Sequence, residues 1–199
     1  MVPEGGEASA GGGRTSPRVR GGLERSFVAY LREESPHYEA IVAASPEGLI
    51  DELENCSALA WLPYERAVQI HAIHLDIAGR RHAVQETAAA FMRFTDGAMM
   101  RALSATLVNI FGVHGHQVHR VYPRIWSAFT RGFGKICGEQ IGEQNSKVYF
   151  EEAPVWLDRY DALLATHEAA LNAMFIWAEM PGHIACVGEG ADAHFIIGW

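Results

Sequence analysis

The sequence predicts an α+β domain in which a helical layer packs on a small antiparallel sheet, and three observations carry that reading. Apolar residues recur at three- and four-residue intervals through most of the chain from Leu23 onward. The period changes to two between Ser146 and Glu152, where Val148 and Phe150 alternate with Lys147, Tyr149 and Glu151. The chain closes on two apolar runs, Gly182 to Val187 and Ala193 to Trp199, joined by a glycine turn at Gly188-Glu189-Gly190-Ala191-Asp192. Many helices, a strand, a long helix and a hairpin give the order of an α+β fold.

Residues 1 to 22 hold seven glycines and two prolines with scarcely an apolar side chain, and read as a flexible tail without an assigned function. Its arginines, Arg14, Arg18 and Arg20, could meet an acidic partner. Residues 23 to 199 form a single domain. Leu23, Phe27, Tyr30 and Leu31 mark a first short helix, Tyr38, Ile41 and Val42 a second, and Leu49, Ile50 and Leu53 a third. Leu62-Pro63 opens a longer helix, with proline in its first turn and Ala67, Val68, His71, His74, Leu75 and Ala78 along one side until Gly79. Further helices span Val84 to Phe94, Gly97 to Phe111, and about His116 to Arg131, where Pro123 can kink the chain. Val118, Val121, Tyr122, Ile125, Trp126 and Phe129 point inward from the last of these. Ile136 to Ile141 is placed to pair with the alternating strand. Asp158 caps an amphipathic helix carrying Leu164, His167, Leu171 and Phe175.

Composition excludes several roles. A chain of 199 residues, 49% apolar, folds without a staple of disulfides or metal. The formal charge of −8 is a poor field for nucleic acid. Cys56, Cys137 and Cys186 are widely spaced with no Cys-x-x-Cys pair, so a reducing cytoplasm is expected. No secretory signal or membrane span is expected either. No nucleophile elbow, zinc-protease helix or phosphate loop occurs, and paired acids such as Glu33-Glu34 point in different directions.

Histidine is the informative residue. His71 and His74 share one helix face and could grip a metal or haem, or sit as hydrogen-bonded core residues. His114, His116 and His119 form His-x-His-x-x-His at a loop-to-helix junction, the best metal candidate, although the nearest carboxylates in sequence, Asp96 and Glu139, are distant. His167 projects from the apolar face of the long helix between Leu164 and Leu171. Tyr122, Trp126, Phe129 and Phe133, with Phe91, Phe94, Met99 and Met100 upstream, could enclose a ligand or fill a core.

From about Leu49 to Trp199 the chain resembles a myxobacterial paralogous family of unknown function, itself similar to the small-molecule-binding domains named after 4-vinyl reductase. The resemblance is carried by Leu62-Pro63-Tyr64, Gly97-Ala-Met-Met-Arg101, Phe111-Gly112, Val121-Tyr-Pro-Arg124, Phe129-Thr-Arg131, Val148-Tyr-Phe-Glu-Glu-Ala-Pro154 and the terminal Ile-Gly-Trp199. It implies the fold shared with haem nitric-oxide-binding domains and the channel-bearing subunits of the TRAPP tethering complex, in which helices and a sheet enclose an apolar cavity. The Tyr-x-Ser-x-Arg clamp of the haem-binding branch is missing from this chain, as are the clustered cysteines of the vinyl-reductase branch.

The expectation is a non-enzymatic module that holds a small hydrophobic ligand and acts through a protein partner. Its proposed lining is Phe91, Trp126, Phe129, His167, Leu171 and Phe175, with His167 orienting a polar group. The first alternative is a metal- or haem-binding sensor using His114, His116 and His119 or His71 and His74. The second is a structural homodimer or adaptor that pairs through the edge of the closing hairpin.

Overall fold

The fold begins inside the stretch expected to be a tail. In a computed structural model describing residues 16–95, 117–151, 160–188 and 192–199, β1 covers Arg18–Arg20 and α1 follows over Gly21–Glu34. The expectation of a tail through residue 22 is corrected at that end, because Val19 is buried and brings its neighbours into a sheet. The helix expected at Gly97 to Phe111, the residues His114 and His116, the Asp158 cap and part of the closing turn lie outside the described residues.

On α1, Leu23, Phe27, Val28 and Leu31 are buried at helical spacing against α2 (Tyr38–Ala44) and α3 (Leu49–Asn55). β2 (Trp61–Pro63) comes next. Pro63 therefore ends a strand at a sheet edge, where its missing N–H costs nothing, and the helix starts one residue later. The two helices expected on either side of Gly79 are joined as α4 (Tyr64–Thr95). Gly79 interrupts it with φ 74° and ψ 155°, a backbone state open essentially to glycine alone.

α5 (Val118–Phe129) absorbs Pro123 and buries Val118, His119, Tyr122 and Trp126; Val121, Ile125 and Phe129 are only partly covered. β3 (Thr130–Arg131) follows without a break and completes an antiparallel sheet of order β2-β1-β3. A second antiparallel sheet has the order β4-β5-β7-β6, built from β4 (Lys135–Gln140), β5 (Asn145–Glu151), β6 (His183–Val187) and β7 (His194–Gly198). In β5 the inward set is Ser146, Val148 and Phe150, as the period of two requires. β5 pairs with β7 as well as with β4, so the closing hairpin extends the sheet and leaves β6 at its edge.

The last helix, α6 (Tyr160–Trp177), is less one-sided than its sequence suggests. Six successive residues, Ala162 to His167, are buried, so over this stretch the helix is covered all round. Leu163 faces the cluster built by α1, α3 and α4; Ala165, Ala169 and Ala173 let the second half of α4 approach closely; Leu164, Leu171 and Phe175 face the four-stranded sheet. No described helix is long and apolar enough to cross a membrane.

Candidate functional site

Between α5, α6 and the four-stranded sheet, Tyr122, Trp126, Phe150, Leu171, Phe175, Phe195 and Ile197 form one buried cluster. His167 stands inside it. Helical geometry puts Tyr122 and Trp126 one turn apart on α5, with ring centroids 6.1 Å apart, and aims both at α6. The imidazole of His167 has no exposed surface and lies 4.1 Å from the Trp126 ring and 4.6 Å from Phe150, with Phe195 at 6.3 Å.

This histidine is electrically neutral. Burial holds its pKa down to about 3, far below the ordinary imidazole value, because the apolar surroundings penalise the charged form. Burial also raises the Tyr122 phenol well above its usual range, so it keeps its proton. Tyr122 Oη and His167 Nδ1 are 2.5 Å apart. The hydroxyl proton needs an acceptor, and Nδ1 is the acceptor at hand, so Tyr122 donates to Nδ1. A neutral ring that accepts at Nδ1 carries its own proton on Nε2.

Two N–H groups are left over. His167 Nε2 and Trp126 Nε1 are both buried, and neither has a hydrogen-bond partner among the described residues. An orphaned donor in an apolar interior costs on the order of 1–3 kcal/mol. These two donors stand on rings whose centroids are 4.1 Å apart.

The lining expected from sequence is only partly gathered. Trp126, His167, Leu171 and Phe175 share the cluster, and Phe91 of α4 touches its border. Phe129 is elsewhere: it packs edge-on against Phe94, 5.6 Å away, beside the helical core. It follows Trp126 by three positions, but the last turn of α5 points it at α4. Sequence reading missed Phe195 and Ile197 as walls, since they arrive from β7. Their alternation in the final strand was the available signal.

The paired histidines of α4 have partners of their own. His74 Nε2 is 2.9 Å from Glu86 Oε2, which also accepts from Ser35 Oγ at 2.7 Å. Burial, opposed by Glu86, keeps the His74 pKa down at about 4. His71 Nε2 lies 3.2 Å from Glu24 Oε2, off the line of a good hydrogen bond, and stacks on Phe27 at 4.2 Å. Of the other triad, His119 is described and buried on α5. Among the described residues no group of three or more His, Cys, Asp or Glu is gathered tightly enough to hold a metal ion.

A second concavity lies outside, along α4 and α6. It is an open groove of about 1020 Å3 lined by Val84, Ala88, Met92 and Ile176 together with Arg80, Arg81 and Arg93. Arg80 and Arg93 are already engaged by Glu168 and Glu33, at 2.7 and 2.5 Å.

A search among solved structures finds the same fold in haem proteins. One structure, from work on the function of haem distortion in the H-NOX family, aligns with a TM-score of 0.53 at 9% identity, over 90% of this chain and 94% of its own. Another, from work on modulating haem redox potential through protein-induced porphyrin distortion, aligns with a TM-score of 0.50 at 11% identity, over 90% and 99%. No protein-family profile matches the chain. No curated protein matches it either, so the narrower likeness to a myxobacterial family has no counterpart among them.

The described residues do not fit a haem. His167 offers a free ring nitrogen, but its imidazole is enclosed by Trp126, Phe150, Tyr122 and Phe195, whose volume a porphyrin seated there would need. His71 and His74 face carboxylates and Phe27. What the comparisons establish is architecture: this chain has the α+β fold of the H-NOX domains.

Proposed function

We propose that this domain is a non-enzymatic sensory module that binds a small hydrophobic molecule bearing an acceptor oxygen, and that it acts through a protein partner. The observation that carries the reading is the pair of donors without a partner among the described residues, His167 Nε2–H and Trp126 Nε1–H, on buried rings whose centroids lie 4.1 Å apart among aromatic and aliphatic side chains. A carbonyl oxygen between them would satisfy both, and an apolar body against Leu171, Phe175 and Phe91 would add affinity at roughly 25 cal/mol per Å2 of surface removed from water. The H-NOX fold supports a ligand-binding role in general terms. The hydroxyl–imidazole pair of the cluster, Tyr122 and His167, is fully enclosed by side chains, and the reading takes it as an orienting hydrogen bond, so the chemistry on offer is recognition.

The test begins with the full chain as purified, by native mass spectrometry and solvent extraction. Calorimetric titrations with 2-nonanone and with nonane then compare equal apolar bodies with and without an oxygen. The reading expects the ketone to bind about tenfold more tightly, the effect of ~1.4 kcal/mol of added hydrogen bonding, and Trp126→Phe to shrink that preference. A chain that carries nothing and prefers neither compound contradicts it. A Soret band or stoichiometric metal on the untreated protein would move the function to His114, His116 and His119.

A further inference from the structure

The sheet β2-β1-β3 presents a face that the aromatic cluster around His167 does not use. In strand geometry, residues two apart share a face, so Arg18 and Arg20 point outward while Val19 between them is buried. The register sets Arg18 directly opposite Arg131 on one side and Pro63 on the other, and Arg20 opposite Trp61. Three guanidinium groups and an indole are thus drawn onto one small surface.

Their packing is specific. The Arg20 guanidinium lies 3.8 Å from the Trp61 ring centroid and that of Arg131 lies 4.0 Å from it. Arg20 also donates to the Leu59 carbonyl at 2.6 Å, and Arg18 to the Trp61 carbonyl at 3.3 Å, which holds both side chains in place. Beside them Leu59 is 65% exposed. Among the described residues no carboxylate forms an ion pair with Arg18, Arg20 or Arg131, in contrast with the groove arginines Arg80 and Arg93.

A directly opposed pair of like charges in a sheet is destabilising unless an anion shares the space. Arginine forks suit carboxylates, which they grip through two parallel N–H groups. The chain as a whole carries −8, which disfavours an extended polyanion such as nucleic acid or an acidic membrane and favours a short anionic segment that reaches only this face. We infer that the Arg18–Arg20–Arg131–Trp61 face is a docking surface for an acidic, carboxylate-rich segment of a protein partner, with an apolar residue of that segment seated on Leu59.

The position suits an output surface. Arg131 lies two residues beyond the end of α5, and Thr130 Oγ1 donates to the Trp126 carbonyl at 3.0 Å, so the helix carrying the buried indole leads straight into the strand carrying the face. Docking stands on the face alone; its regulation by a ligand rests on the function proposed above.

The experiment is fluorescence anisotropy of a labelled octaglutamate peptide with the full chain at 50 and 300 mM NaCl. Saturable binding is expected, at least fivefold weaker at the higher salt and at least tenfold weaker in the double variant Arg18→Gln/Arg131→Gln. Arg81→Gln, at an exposed arginine of α4, should leave it unchanged. Circular dichroism checks that each variant folds. Absence of peptide binding overturns the proposal, as does an equal loss in Arg81→Gln. Vesicles of phosphatidylcholine and phosphatidylserine (4:1) that bind through Arg18 and Arg131 when the peptide does not would assign the face to a membrane and likewise overturn it. Failure of the ketone titration with the peptide result intact would remove the ligand-binding reading and leave the docking face standing.

Discussion

Acidification should destabilise this protein through His167, by an amount that follows from its burial. Its folded-state pKa is about 3 and its ordinary value 6.5, so between those limits the unfolded chain binds a proton that the folded chain refuses. Stability contributed by the neutral ring is therefore complete above pH 6.5 and is lost as pH falls toward 3. At pH 5 the loss is 1.5 units of pH at about 1.4 kcal/mol each, or about 2 kcal/mol from this residue. Urea unfolding at pH 7.5 and pH 5.0, on wild type and His167→Phe, isolates it. The phenylalanine strands the Tyr122 hydroxyl at both pH values, so that cost cancels in the difference, and the other histidines contribute equally to both proteins. Wild type should lose about 2 kcal/mol more than the variant over that interval. Equal losses would refute the claim that His167 is buried and neutral.

Other substitutions follow from close contacts and backbone states. A Cβ at Gly138 of β4 would land on the His119 backbone carbonyl oxygen, so Gly138→Ala should cost about 3 kcal/mol by prising α5 from the sheet. At Gly198 the nearest atoms to the Cβ would be those of the His183 imidazole, which can rotate away, and thermal melts should show a much smaller shift for Gly198→Ala. Gly79→Ala has open space around it, but the left-handed φ should still cost about 2 kcal/mol in a denaturant titration. Glu86→Ala removes the acceptor shared by His74 and Ser35; a loss of about 2–3 kcal/mol is expected, against less than half that for Glu86→Gln, measured by chemical unfolding.

Local rules made much of this fold legible. Val148 and Phe150 declare a half-buried strand by alternation, Leu23, Phe27 and Leu31 declare a helix, and Gly79 and Pro63 mark breaks, because each signal is contained within a few residues. What escaped is what depends on distant partners. β1 is three residues in a glycine-rich stretch and exists only because β2 and β3 flank it. The enclosure of α6 is invisible in its periodicity, since Ala165, Ala169 and Ala173 are small enough to read as either surface or interface. In the candidate site, His167, Trp126, Leu171 and Phe175 were identifiable as inward residues of two helices. The hydrogen bond from Tyr122, 45 residues away, was not, and it alone determines which ring nitrogen of His167 is left to face a ligand. His71 and His74 posed the same problem: the carboxylates facing them, Glu24 and Glu86, belong to other turns of the chain.

The most direct measurement of the central claim is a long-range 15N–1H NMR spectrum of the labelled full chain, recorded alone and with 2-nonanone. The account predicts that His167 shows a protonated Nε2 and an unprotonated Nδ1, and that this Nε2–H and the Trp126 indole N–H both move downfield when the ketone is added. A proton found on Nδ1, or two resonances that stay where they were at saturating ketone, would contradict it.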